Sequence, residues 1–263
     1  MLKVQILTLL LILSPVNFCQ SVYSFDADDE VILFGTGLSL GILDNLLLKS
    51  RQPFTLEKLG KLSRENVNSF DRMATYNWSP TASTVSDILL VVSIASPLFL
   101  LSSSNVHNDV GTFSTMYVEN VIFSYSLTYL AKASHLRPRP YVYNETVPME
   151  EKLDIESTLS FFSGHSTMAF SSAVFLSTLY QRYYPDSKFK PYIWGTSLVF
   201  ASLVAYLRIY SGQHFPSDVI IGAATGCLIG YLIPLMHEHK DGNNKVLLNK
   251  INSNNVFSIN INF

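Results

Sequence analysis

The stretch DVIIGAATGCLIGYLIPLM, residues 218–236, decides the fold. Its one charged residue, Asp218, stands at the N-terminal edge, and the apolar run behind it is close to the ~20 residues an α-helix needs to cross a bilayer. Gly222, Gly226 and Gly230 recur at four-residue spacing. That spacing lines up positions without side chains on one face, which suits close helix packing inside a membrane. Further apolar runs lie upstream at 192–209, 166–180, 112–131 and 88–101. The 112–131 run is rich in Tyr and Phe and carries Glu119; Pro97 is expected to kink the 88–101 run. Residues 31–48 form the weakest candidate, because Gly35, Gly37, Gly41 and Asp44 interrupt them. The fold class expected is all-α, a membrane helical bundle of five or six apolar helices with its chemistry at helix ends.

Around this core the chain divides into four parts. Residues 1–24 read as a secretory leader or a signal anchor, with Lys3 ahead of an apolar stretch and small residues behind it. Residues 25–111 hold the N-terminal apolar and interfacial helices. In the charged segment 49–81, Lys58, Lys61 and Arg64 alternate with Leu59 and Leu62 as on an amphipathic surface helix. Residues 112–236 are the expected catalytic core. Residues 237–263 are a polar, Asn-rich tail whose closing alternation, 256–263, resembles one barrel strand, although a single strand cannot close a barrel.

Composition excludes several classes. A net charge of -2 offers no surface for a polyanion, so nucleic acid is not an expected partner. The two cysteines, Cys19 and Cys227, support neither a disulfide framework nor zinc spacing. His237 and His239 lack further ligands at metal-binding spacing and read as exposed, so no metal site is expected.

The polar residues that remain cluster in two connections. The first, between the 112–131 and 166–180 runs, holds Lys132, Arg139-Pro140 and Ser163-Gly164-His165. The second, between the last two runs, holds Arg208, His214 and Asp218. An even number of spans separates them, so they face the same side. Guanidinium forks match phosphate oxygens bidentately. Ser163-Gly164 opens a helix whose free N–H groups can receive an anion. His165 and His214 offer one nucleophile and one general acid. Asp218, one helical turn beyond His214, is placed to accept its ring N–H and fix the tautomer. Cations around a dianion, with two histidines and a carboxylate, suit phosphoryl transfer. Arg137 reads as a solvated or headgroup-facing charge, and Glu119 as an ionisable group in an apolar helix with a pairing role.

In these blocks and spacings the chain resembles the type 2 phosphatidic acid phosphatase and vanadium haloperoxidase superfamily across residues 112–236. Lys132 is followed after six residues by Arg139-Pro140, then come Ser163-Gly164-His165, and Arg208 precedes His214 and Asp218 at the family's intervals. The resemblance implies a phosphatase that works without metal or cofactor. His214 would be the nucleophile that becomes phosphorylated, with Asp218 as its orienting partner. His165 would protonate the leaving oxygen and then activate water. Lys132, Arg139, Arg208, Ser163 and Gly164 would bind phosphate. Two positions depart from the pattern: Phe162 replaces a common proline, and Leu207 a common serine.

The expected substrate is a phosphorylated lipid, because the helix ends sit at headgroup depth; a periplasmic acid phosphatase with soluble phosphomonoesters is the alternative. The expected location is the inner membrane with the site facing the periplasm. Arg182, Lys188, Lys190, Lys240, Lys245 and Lys250 favour that orientation, while Lys49, Arg51, Lys58, Lys61, Arg64 and Arg72 oppose it. Helix counting gives an outward site only if residues 31–48 fail to cross.

Overall fold

The computed structural model describes residues 22–49, 52–107 and 109–238, and nothing of the side chains of Asp44 and Asn45. The leader up to residue 21, Cys19, Arg51, His239 and the 256–263 alternation lie outside the described residues. Among the described residues there are six long helices and no strand beyond isolated bridges. They are α1 (Ala27–Lys49), α2 (Pro80–Ala95), α3 (Val110–Ser134), α4 (Gly164–Tyr183), α5 (Lys190–Tyr210) and α6 (Pro216–Met236). The class is the all-α bundle expected.

Four segments are long and apolar enough to cross a membrane: Ala27–Lys49, Pro80–Ser102, Lys190–Tyr210 and Pro216–Met236. They leave Ile88, Val91, Val199, Ile220 and Leu228 exposed along their lengths. An apolar belt of this extent suits lipid rather than water. Helices α3 and α4 are buried among the others, so they carry what lipid would not accept. Ser166, Thr167, Ser171, Ser172 and Ser177 of α4 and Thr115, Asn120, Ser124 and Thr128 of α3 are all buried. Several hydroxyls return to the helix backbone, as Ser177 does to the Ala173 carbonyl at 2.7 Å. Away from the site, Phe175 and Leu179 of α4 pack with Phe113 and Met116 of α3 and with Ile229 and Ile233 of α6.

The glycine face of α6 lies against the backbone of α4. A Cβ at Gly222, Gly226 or Gly230 would come within 2.6, 2.3 or 2.3 Å of the carbonyl oxygens of Ser163, Thr167 or Ser171. Gly226→Ala is therefore expected to destabilise the protein by about 1–3 kcal/mol, because backbone cannot yield as a side chain can. The measure is thermal unfolding in detergent against Gly195→Ala, where the added Cβ meets nothing within 4 Å.

Three expectations change. Segment 31–48 is not weak: it belongs to a 23-residue helix of which Gly37 and Gly41 lie against α3, while Gly35 meets nothing within 4 Å. Gly37 sits against Ile122 of α3, and its carbonyl accepts from Ser126 Oγ at 3.1 Å. Pro97 does not kink a continuing α-helix. It stands in the first turn of a 3-10 segment, Ser96–Ser102, that extends α2. Segment 49–81 forms short turns instead of one surface helix: Leu56–Gly60, Arg64–Asn66, Ser69–Arg72 and Met73–Tyr76. These turns cover the site end, with Leu59 and Leu62 against Tyr141, Val142 and Val147, and Val67 and Ala74 against Phe215. Because α1 is full length, helix parity puts the site across the bundle from Ala27. The two described ends share the other face, where the Ser24 N–H donates to the His237 carbonyl at 2.7 Å.

Candidate active site

Lys132 lies in the last turn of α3 and donates to the Leu159 carbonyl at 2.5 Å. The chain then runs extended beside residues 157–160. Arg137 and Arg139 N–H groups donate to the Thr158 and Ser157 carbonyls at 3.0 and 2.8 Å, and the Ser160 N–H returns to the Arg137 carbonyl at 3.0 Å. This pairing aims Arg139 back under the bundle, where it meets Glu156 at 2.7 Å and Gln213. Ser163 caps α4 through its hydroxyl, which accepts from the Ser166 N–H at 3.3 Å. Gly164 passes close to Thr128, whose methyl carbon would lie 3.1 Å from an added Cβ.

Helix α5 ends on Gly212, whose φ of 76° belongs to the left-handed region that glycine tolerates. A Cβ there would lie 2.3 Å from the Asn77 carbonyl oxygen. The Arg208 carbonyl accepts from both Gln213 and His214 N–H, which folds the short turn so that His214 faces inward ahead of α6. Arg208 reaches across to α2, donating to Ser83 at 3.1 Å, Ser86 at 3.0 Å and Asp87 at 3.2 Å. His165 Nε2 sits 2.7 Å from the same Asp87 oxygen.

These side chains converge. A cavity of about 390 Å³ is lined at one end by Lys132, Arg139, Arg208, His165, His214 and Gly164. The three cations are between 5% and 7% exposed, so their field is little screened by water. The lining continues down the bundle to Tyr125 and Ser124 of α3, Leu90 and Ile94 of α2 and Met168 of α4. Ser163 and Asp218 are fully buried behind this wall and do not line it.

The expected pairing of Asp218 with the His214 ring is corrected by the geometry. Nδ1–H of His214 donates to the Ser160 carbonyl at 2.7 Å, and Asp218 Oδ2 is 3.9 Å away. The Asp218 carboxylate is instead filled by Ser160 Oγ at 2.6 Å, the Phe215 N–H at 3.0 Å and Arg137. Ser160 thus stands between the two, its hydroxyl on Asp218 and its carbonyl on His214. The Ser160 carbonyl can only accept, so Nδ1 carries the proton and Nε2 of the neutral ring is left free. Burial and then the nearby Lys132, Arg139, Arg208 and His165 hold the His214 pKa well below 6.5, so the ring is neutral.

Arg137 is likewise not a solvated charge. It joins Asp218 to Asp71 at 2.7 Å and lies 4.2 Å over the Phe215 ring. Asp71 also accepts from Asn68 at 2.8 Å and from the Ser217 N–H and hydroxyl at 3.0 and 2.7 Å. Burial opposes the Asp71 charge, yet Ser217, Asn68 and Arg137 together keep its pKa below the model-compound value of 3.8. Asp87 is the site residue the sequence reading missed. A signal existed, since it is the one ionisable residue in Pro80–Ser102, and such residues in apolar helices are usually paired or functional.

The fold and this cavity define a membrane helical protein in which three cations and two histidines line one cavity. A profile of the PAP2 superfamily matches residues 113–241, and through that core the chain belongs to the PAP2 superfamily. A 73-residue stretch is 41% identical to the lipid A 4'-phosphatase of Porphyromonas gingivalis, covering 28% of this chain and 28% of that protein. Among solved structures, Aquifex aeolicus LpxE is similar over 67% of this chain and 100% of its own, with 22% identity and a TM-score of 0.46. A PAP2-type phosphatidylglycerolphosphate phosphatase from Bacillus subtilis is similar over 76% of this chain and 94% of its own, with 22% identity and a TM-score of 0.44.

Proposed function

We propose that the chain is a phosphatase that needs no metal for the reaction and acts on a lipid phosphate or pyrophosphate through a phosphohistidine on His214. Nε2 of His214 attacks phosphorus; an N–P bond forms as the bond to the leaving oxygen breaks, and His165 supplies that oxygen's proton. Water, losing its proton to His165, then attacks phosphorus, the N–P bond breaks, and phosphate leaves. Lys132, Arg139 and Arg208 neutralise the equatorial oxygens throughout. Asp87 holds the His165 ring, and Asp218 acts through Ser160 and the start of α6.

One observation carries the choice of a lipid over a soluble ester: the cationic end of the cavity opens onto Leu90, Ile94, Met168 and Tyr125 between helices that face lipid. A phosphate can sit among the cations while an apolar tail lies along α2 and α3. The match to a lipid A 4'-phosphatase puts phosphorylated lipid A first among candidates. The test is phosphate release by purified protein in detergent from phosphorylated lipid A, phosphatidate, isoprenyl pyrophosphate and p-nitrophenyl phosphate. A kcat/KM at least ~10-fold higher on a lipid, with inhibition by vanadate, is expected. Equal or better turnover of the soluble ester would favour the acid phosphatase reading.

The location proposed is the inner membrane with an outward-facing site; with α1 crossing, this requires Ala27 on the cytoplasmic side and sets aside the expectation that residues 1–24 carry the chain behind them outward. Arg182, Lys188 and Lys190, at the opposite end of the bundle, then lie on the cytoplasmic side, as the positive-inside rule asks. A membrane-impermeant thiol reagent should label a cysteine placed at Glu145 in intact cells and spare one placed at Ser187. The reverse pattern would turn the site inward.

A further inference from the structure

At the end of the bundle away from the cavity, three ionisable side chains from separate elements meet in the interior. Glu30 comes from the first turn of α1, Glu119 from the middle of α3, and His237 from the residue after α6. Their exposures are 1%, 1% and 4%, so His237 is not the exposed residue expected from its place in the tail. Nε2 of His237 lies 2.8 Å from Glu30 Oε1 and 3.4 Å from Glu119 Oε2. Nδ1 lies 2.8 Å from the Ile233 carbonyl, an acceptor only, so Nδ1 carries a proton. Nε2 then faces two carboxylates, either with a second proton that they accept or with a lone pair open to a cation. Glu30 Oε2 and both oxygens of Glu119 are buried without a hydrogen-bond partner.

Two carboxylates and an imidazole nitrogen aimed at one point, short of donors, are what a cation satisfies. The three ligand atoms all lie within 4.8 Å of one another. Zinc bonds of about 2.0–2.2 Å set tetrahedral ligands about 3.4 Å apart, the separation His237 already keeps from Glu119 at 3.4 Å, while its 2.8 Å contact with Glu30 would have to open. The donor types narrow the choice. One imidazole and two carboxylates, with no thiolate, suit zinc or a similar divalent transition ion. Magnesium keeps several waters and calcium takes six to eight oxygens, which so closed a site does not provide. The carbonyl behind Nδ1 is the usual outer partner of a metal-bound histidine.

We propose that Glu30, Glu119 and His237 form a structural site for a zinc-type divalent cation. The ion fastens the first turn of α1 and the end of α6 to α3. The same corner is already closed by the Ser24 N–H on the His237 carbonyl at 2.7 Å and by the Val22 N–H on Asp109 at 3.0 Å. Lys132 lies thirteen positions beyond Glu119 along α3, about 20 Å of helix, so the ion takes no part at the phosphate cavity.

The test reads metal and unfolding temperature instead of phosphate release, so it stands or falls apart from the proposed reaction. Full-length protein in detergent is stripped with a chelator, reloaded with zinc chloride and desalted; parallel samples receive magnesium or calcium chloride. Expected are one zinc per chain, a higher Tm than the stripped protein, and at least ~10-fold weaker zinc binding in Glu119→Gln and in His237→Gln. No retained zinc, equal retention in both variants, or equal retention of magnesium would overturn the site. A proton shared between the two carboxylates would then explain their proximity. Should the variants fail to fold, absorption spectroscopy at the zinc edge of wild-type protein decides: imidazole and carboxylate ligands uphold the site, and water-only ligands sink it.

Discussion

His214→Ala is expected to lower phosphate release by roughly 10⁴-fold or more, because it removes the atom that would form the proposed covalent intermediate. The cationic end of the cavity remains, so substrate binding should change far less than kcat. His165→Ala separates the two histidines. Loss of the proton donor should slow esters with poor leaving groups by ~10²–10⁴-fold and spare those whose leaving oxygen needs no proton. The pH profile offers a further check. In the proposed reaction the nucleophile is the unprotonated ring, present above its pKa, and burial with the nearby Lys132, Arg139 and Arg208 moves that pKa well below 6.5. The acid limb of kcat/KM should therefore lack a midpoint near 6.5 arising from His214. A His214 variant as active as wild type would remove the phosphohistidine mechanism.

Arg137→Ala carries the largest expected stability effect. Asp71 and Asp218 are both wholly buried, and the single guanidinium between them is the cation that both contact. Taking away one member of a buried charge network leaves the others uncompensated, at a cost of about 3–5 kcal/mol. Lysine cannot rescue it well, because one ammonium does not reproduce a planar fork that bridges two carboxylates and stacks on Phe215. Denaturant or thermal unfolding in detergent measures the effect, which should exceed that of Arg139→Ala. Arg139 contacts Glu156, which is half exposed and can turn to water. Equal stability of the Arg137 variant and wild type would show that Asp71 and Asp218 find other partners.

Much of the site was legible because its parts are local. Lys132 and Arg139, Ser163 to His165, and Arg208 to Asp218 each sit within a few residues of a helix end, where chain direction is limited and spacing translates into position. Asp87 and Arg137 were harder. The Asp87 partners are 78 and 121 residues distant, and Arg137 reaches 66 residues back to Asp71 and 81 forward to Asp218. No periodicity records such pairings. The glycines of residues 31–48 were misread for a related reason: Gly37 looks like a helix breaker until the Ile122 side chain is placed against it.

The residues alone determined an all-α membrane bundle with two histidines and three cations gathered at one end, since apolar run length, glycine spacing and helix-end motifs are properties of single segments. The tertiary structure decided which carboxylate serves which base. It gave the His214 proton to the Ser160 carbonyl, assigned Asp218 to Arg137, and joined Glu30, Glu119 and His237 at the far end. Those outcomes depend on how each helix is rotated and shifted along its axis against its neighbours. Side-chain packing between helices sets that offset, and a change of an ångström is enough to exchange one hydrogen-bond partner for another.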